Sequence, residues 1–297
     1  MIRSIEDEKM AIQLGVIGGS GFYRMNGLEI LEERAIETPF GLPADKVVIG
    51  LLEGKEVAFL ARHGRKHQYN PTHVPYQANI WAMKSLGVKW LVSVSAVGSL
   101  KEEIAPRHVV VPDQIIDRTR HRAVSFFDPV AVHVGFSDPY CPLLSSLLIE
   151  AAHQSGIVTH SGGTYIAMEG PLFSTRAESQ MYRSWGASII GMTGIPEAKL
   201  AREAEIAYGA LCFVTDYDCW RLIEEVVTVD MVIGHLNANA EAGAQALRHV
   251  ASRINSLGVS PAHNALENGL LTHPSDYPPD ALDRVRLLIS RFIDKKL

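Results

Sequence analysis

Residues 210–214, Ala-Leu-Cys-Phe-Val, form an unbroken apolar run, and such a run between polar neighbours predicts a strand buried on both faces. It empties into Thr215-Asp216-Tyr217-Asp218, so two carboxylates are delivered where the chain leaves the core. Comparable runs predict further strands over 12–17, 46–52, 56–60, 90–96, 109–112, 164–168 and 187–192, with a hairpin turn at Glu53-Gly54-Lys55. Helices are predicted over 74–86, stopped by Gly87, and over 142–156, 198–207, 229–255 and 278–293, and Ser174 is placed as the N-cap of another. Residues 113–135 show neither period. A stretch that long without its own structure usually forms a site wall or an oligomer contact. No repeat, low-complexity tract or linker interrupts the pattern, so one α/β domain is expected over 1–297, with 1–10 a loose polar leader and 278–297 a C-terminal helix.

In open α/β sheets ligands bind beyond the carboxyl ends of strands, so what each strand delivers there bears on function. The first predicted strand runs into Gly18-Gly19-Ser20-Gly21, where backbone amides and the Ser20 hydroxyl can cradle an anion. It is not a dinucleotide fingerprint, since the third glycine position is Arg24, and no GK[ST] loop is present; a glycine turn without a ligand is an equal alternative. The strand ending at Leu60 delivers Arg62, His63, Arg65, Lys66 and His67, with Arg62 offering a planar fork to phosphate; a solvated basic loop is the alternative. Ser95 and Ala96 lead into Val97-Gly98-Ser99, read as a second hydroxyl-bearing turn. If the strands are parallel, Ser20, Arg62, His63, Ser95 and Ala96 share one rim. Phe173 is either core or a wall for a flat ring, Met192 by default a core thioether, His133 by default structural, and Asp216 or Asp218 alternatively a turn cap.

Composition narrows the classes. Apolar residues make up 47% of the 297, enough for a sizeable core. With 28 basic against 33 acidic residues the net charge is -5, which argues against a broad nucleic-acid surface, so any anion must be held locally. Cys141, Cys212 and Cys219 lack metal-site spacing and are expected as reduced thiols; the N-terminus lacks a signal-peptide core and no segment is long enough to span a bilayer, so a cytoplasmic protein is expected.

The blocks VIGGSGFY, LARHGRKH, VSVSAVGSL, AMEGPLFSTRAES, GMTGIPEAKLAREA and VTDYDCW, in this order between Leu14 and about Gly234, resemble the purine nucleoside phosphorylase superfamily and most closely its 5'-methylthioadenosine phosphorylase branch. The resemblance implies a mixed, distorted β-sheet surrounded by helices, in a homotrimer or a dimer of trimers. It implies phosphate contacts from Ser20, Arg62, His63, Ser95, Ala96 and Thr193, base packing by Phe173, ribose contact by Met192, and purine reading by Asp216 and Asp218. His133 is expected to reach a neighbour's site near the 5' substituent. Gly191 and Gly194 depart from the larger residues of other members.

The implied chemistry is phosphorolysis of a purine nucleoside, with inorganic phosphate as co-substrate and no metal or organic cofactor. Breaking the N-glycosidic bond requires an anionic nucleophile on one face of the sugar and protonation of the leaving purine at N7, for which Asp216 is the expected acid and Asp218 its partner. A carboxylate accepts from the exocyclic amine of adenine, whereas a 6-oxo purine calls for a donor, so the two aspartates favour 6-aminopurines. Val226, Val227, Val229 and Val232 predict an apolar 5' pocket suited to a methylthio group. Alternatives are cleavage of inosine, guanosine or methylthioinosine, hydrolysis in place of phosphorolysis, and a nucleoside sensor without turnover.

Overall fold

A computed structural model describes residues 12–19, 25–221 and 229–293, excepting the side chains of 229–233 and 235–239. Ser20, Val226, Val227 and the leader therefore lie outside the described residues, as do the side chains of Val229 and Val232. In chain order the elements are β1 (Leu14–Gly18), β2 (Glu29–Arg34), β3 (Val47–Leu52), β4 (Lys55–Ala61), α1 (Tyr76–Ser85), β5 (Trp90–Ser99), β6 (Val109–Val111) and β7 (Gln114–Arg118). They continue with α2 (Pro142–Gln154), β8 (Thr159–Ser161), β9 (Thr164–Met168), α3 (Arg176–Ser184), β10 (Ile189–Gly191), α4 (Gly194–Glu203), β11 (Ala207–Asp216), α5 (Val229–Arg253) and α6 (Pro279–Ile293).

All of these strands join one mixed sheet. At its centre β4, β1, β5 and β11 lie side by side and parallel. Every residue of β11 is buried, as its apolar run demands. Helices cover both faces: α2 and α5 pack together against one, and α1 packs with α4 against the other. The β3–β4 hairpin forms through Glu53 and Gly54, whose positive φ values of 51° and 71° suit a two-residue turn that follows strand twist. Among the described residues no helix is long and apolar enough to cross a membrane.

Four details differ from the sequence reading. Val97-Gly98-Ser99 is not a turn, because β5 runs through to Ser99 against β11. The aperiodic stretch holds a strand, β7, paired in parallel with β9; its residues are half-buried or exposed and so carry no burial period. β2 is an exposed edge strand whose Ile30 and Leu31 face solvent. The cap of α3 is Thr175, not Ser174: its hydroxyl accepts from the Glu178 N–H, and Glu178 reaches back to the Thr175 N–H in a capping box.

Candidate active site

The site is set by unequal strand lengths. β1 ends at Gly18 and β4 at Ala61, level with one another, while β5 continues. β11 occupies one edge of β5 from Trp90 to Gly98. On the opposite edge β1 pairs only as far as Ser93, and β10 arrives from the other direction to pair with Gly98 and Ser99. Residues 94–97 are thus left with an open edge in mid-sheet, a switch point of the kind at which α/β sheets bind ligands. Backbone groups alternate between edges, and since the Val94 carbonyl faces the gap, Ala96 presents its own N–H and C=O there. Ser95 and Ala96 are both only partly buried. Ser95 Oγ lies 3.7 Å from the sulfur of buried Cys212, whose thiol is pushed up to about 12 by burial and is no nucleophile.

Arg62 underlies this gap. Its guanidinium is buried, with Nε and Nη2 at 2.8 and 3.0 Å from the two carboxylate oxygens of Glu197, itself 1% exposed. The remaining bonds go to Val94 O, Ile17 O and Ser93 Oγ, and Tyr208 donates to Glu197 at 2.9 Å. The fork that the sequence reading offered to phosphate is therefore taken by Glu197. Burial works against the Arg62 charge, but Glu197 overrides it and holds the pKa above the usual arginine range. Next along the chain, His63 Nδ1 lies 2.8 Å from the Tyr69 carbonyl and donates to it, so in the neutral ring Nε2 carries the lone pair. Burial, with the Arg62 charge, lowers the His63 pKa to about 4.

The carboxylates sit at the far end of β11. Pairing with β5 skips from Val214 to Asp216, so Thr215 is the extra residue of a bulge, a common device for re-aiming a side chain beside a site. Asp216 Oδ2 accepts from the Thr215 hydroxyl at 2.7 Å and Oδ1 from the Asp218 N–H at 2.8 Å. Asp218 adopts φ of 52°, a strained conformation typical of functional loops. Its pKa is raised because burial penalises the charge more than the nearby Ser179 and Ser174 hydroxyls relieve it, and its Oδ2 is buried without a hydrogen-bond partner. Gly98 makes room for the pair: a Cβ there would lie 2.9 Å from Asp216 Oδ1 and 3.4 Å from Asp218 Cβ. Gly98→Ala is expected to displace Asp216 and lower kcat/KM for the nucleoside at least about tenfold, with a smaller effect on the KM for phosphate. An unchanged nucleoside kcat/KM in steady-state assays would show that the close approach is not needed.

The third wall is the turn between β10 and α4. Thr193 is the N-cap of α4 but makes no side-chain cap bond, which leaves its hydroxyl available. Its N–H donates to the Tyr165 hydroxyl at 3.4 Å. Tyr165 also accounts for the two unusual glycines: a Cβ at Gly191 would run into the Tyr165 hydroxyl, and one at Gly194 would meet Ile115 Cδ1 at 2.9 Å and the Tyr165 ring at 3.2 Å. The ring fills the space that larger residues would take. Met192 is partly buried, with its sulfur close over Gly170. Phe173 is 51% exposed, beside Leu172 at 82%, and His133 is exposed.

Residues 13–252 match the family model described as the phosphorylase superfamily. The chain belongs to the phosphorylase superfamily. Within that superfamily it is 52% identical over 281 residues to the S-methyl-5'-thioadenosine phosphorylase of Chloroflexus aurantiacus, covering 94% of this chain and 98% of that one. It is 51% identical over 288 residues to the enzyme of the same name from Prochlorococcus marinus, covering 95% and 92%. Among solved structures it superposes with a TM-score of 0.90 on a methylthioadenosine phosphorylase from an Antarctic soil metagenomic library, at 47% identity and 94% and 99% coverage. It superposes with a TM-score of 0.81 on the Schistosoma mansoni methylthioadenosine phosphorylase in complex with adenine, at 32% identity and 86% and 96% coverage.

In this superfamily member, then, the fold brings together at one rim Arg62, His63, Ser95, Ala96, Asp216 and Asp218, which are drawn from three parallel strands. Thr193 and Met192 close in from the β10 side, and Phe173 follows β9. His133 stands apart on a segment bonded to the C-terminal region, its N–H donating to the Gly269 carbonyl at 2.9 Å. Sequence reasoning missed Glu197, Tyr165 and Arg122. The available sign of the first was Glu197 directly after Pro196 in a stretch flanked by Ile195 and Ala198, since a buried acid needs a partner.

Proposed function

We infer that the protein is an S-methyl-5'-thioadenosine phosphorylase, a pentosyltransferase that reversibly converts S-methyl-5'-thioadenosine and phosphate to adenine and 5-methylthioribose 1-phosphate. The observation that carries the reading is the carboxyl pair at the end of β11, set against Gly98 of β5 in a chain about half identical to enzymes of that name over nearly its whole length. Phosphate is the co-substrate, and the reaction needs no metal or organic cofactor.

Phosphate sits against the open edge, held by Ala96 backbone, Ser95, His63 and Thr193, with the Arg62 charge beneath it. A phosphate oxygen attacks C1' as the C1'–N9 bond breaks, and positioning of the anion supplies much of the acceleration. The electron pair released onto the purine is met by a proton at N7. Asp216 and Asp218 act there as a pair. Burial raises Asp218 and thereby favours a proton on it, while Asp216, the acid of the sequence reading, is already addressed by two donors. The carboxyl oxygens accept from the 6-amino group, Phe173 packs on the base and Met192 on the ribose. The decisive assay is release of adenine from methylthioadenosine with and without phosphate: strict phosphate dependence is expected, and equal turnover in phosphate-free buffer would identify a hydrolase instead. Preferential cleavage of inosine or methylthioinosine would overturn the base assignment.

The enzyme is further proposed to act in the cytoplasm as a homotrimer or a dimer of trimers, with His133 entering the neighbouring site near the methylthio group. The exposure of His133, Leu172 and Phe173 on the isolated chain supports this reading. Light scattering is expected to give a trimer or hexamer, and His133→Ala to raise the KM for methylthioadenosine. A fully active monomer would rule out the shared site.

A further inference from the structure

The stretch read as aperiodic ends its work at Arg122. This side chain is almost completely buried, and all three of its nitrogens are engaged. Nη1 donates to the carbonyls of Met192 at 2.5 Å and Ile195 at 2.6 Å and lies 3.2 Å from the Tyr76 hydroxyl. Nη2 donates to the carbonyls of Glu169 at 2.5 Å and Met168 at 3.3 Å, and Nε to the Glu169 carboxylate at 3.3 Å. Four backbone carbonyls thus converge on one cation, two at the end of β9 and two bracketing the Thr193-Gly194 turn. Ile195 has φ -116° and ψ 136° at a kink within α4, just before Pro196, and it is wholly buried. Arg122 gives its carbonyl oxygen a charged donor, and losing a charge-assisted bond in the interior is costly.

We propose that Arg122 is a positioning residue that ties the strand end leading to the base-packing Phe173 to the turn carrying Met192 and Thr193, and so sets the distance between the base wall and the sugar–phosphate wall. This rests on the reading above that nucleoside and phosphate meet between those walls. The planar five-donor fork is what the role requires, because no single ammonium can reach carbonyls on both sides. Glu169 completes the arrangement. Its carboxylate also accepts from Thr72 Oγ1 at 2.6 Å and from the N–H groups of Arg120 and His121, which overcome the effect of burial and lower its pKa to about 2, so it stays charged opposite Arg122.

The test is Arg122→Lys, with the wild-type enzyme assayed first. The lysine is expected to keep the fold at a lowered melting temperature, since it cannot serve the carbonyls on both sides, and to raise the KM for methylthioadenosine and for phosphate together by about tenfold or more, since misplacement of about 1 Å is worth up to a hundredfold. Wild-type KM values for both, at any melting temperature, would overturn the proposal by leaving Arg122 a merely structural role. Hydrogen exchange on the unmodified protein gives a second reading that needs neither a folded variant nor a substrate. Segments 168–170 and 192–195 are expected to exchange as one cooperative unit, and independent exchange at separate rates would overturn the proposal. Failure of the wild type to cleave methylthioadenosine would instead overturn the substrate reading, with the exchange result still deciding the role of Arg122.

Discussion

Glu197→Ala should cost about 3–5 kcal/mol of stability, the range for removing one member of a buried ion pair. Glu197 is wholly enclosed and accepts from Arg62 twice and from Tyr208 once. Its loss strands a guanidinium charge in the core, between β1 and β5, where water cannot replace the carboxylate. Glu197→Gln keeps one acceptor oxygen, for Tyr208 and Arg62 Nη2, but sets an amide NH2 against the Arg62 Nε–H, so it loses the charge and one bond and should fall between Glu197→Ala and wild type. Pairing Glu197→Ala with Arg62→Met removes the stranded charge and should recover part of the loss, though not all, because Arg62 also satisfies the carbonyls of Ile17 and Val94. Equilibrium urea unfolding reads these differences as shifts of the midpoint at constant slope. A Glu197→Ala protein within about 1 kcal/mol of wild type, the scale of an ordinary substitution, would mean that Arg62 finds water or another acid.

Asp218→Asn should lower kcat/KM for methylthioadenosine by about 10²- to 10⁴-fold, the usual contribution of a positioned general acid. The pH dependence gives the sharper reading. Burial raises the Asp218 pKa, so the carboxyl keeps its proton to higher pH than an exposed aspartate does and releases it as the pH climbs through the raised value. Activity that needs the protonated form is therefore full on the acid side and declines on the alkaline side of that pKa. The asparagine has no proton to release, so its residual activity should lack that limb. A variant that retains the wild-type alkaline limb would place the proton elsewhere, with Asp216 the first alternative. The same sign governs stability: the contribution of Asp218 is present at low pH and lost as pH rises through its folded pKa, because only the charged form suffers from burial.

Much of the candidate site's rim was legible in the chain itself. Short unbroken apolar runs, rich in β-branched residues and bounded by turn residues, point to buried strands, so β1, β4, β5 and β11 and the polar residues at their ends follow from composition and spacing. The aspartates after β11, the basic residues after β4 and the ordered motifs that carry the family likeness are all local features. Local patterns failed where burial is partial: β2 and β7 present no clean period because their side chains are shared between solvent and protein. They also failed where the partner is distant. Arg62 reads in sequence as a free phosphate fork, yet its fork binds an acid 135 positions away. Arg122 reads as one charge in an irregular loop, yet it closes on carbonyls 46 to 73 positions away. Which donor meets which acceptor depends on strand register, on where one strand stops beside a longer one, and on a one-residue bulge at Thr215. A chain pattern fixes which residues must be buried; only the folded sheet decides what each buried charge is buried against.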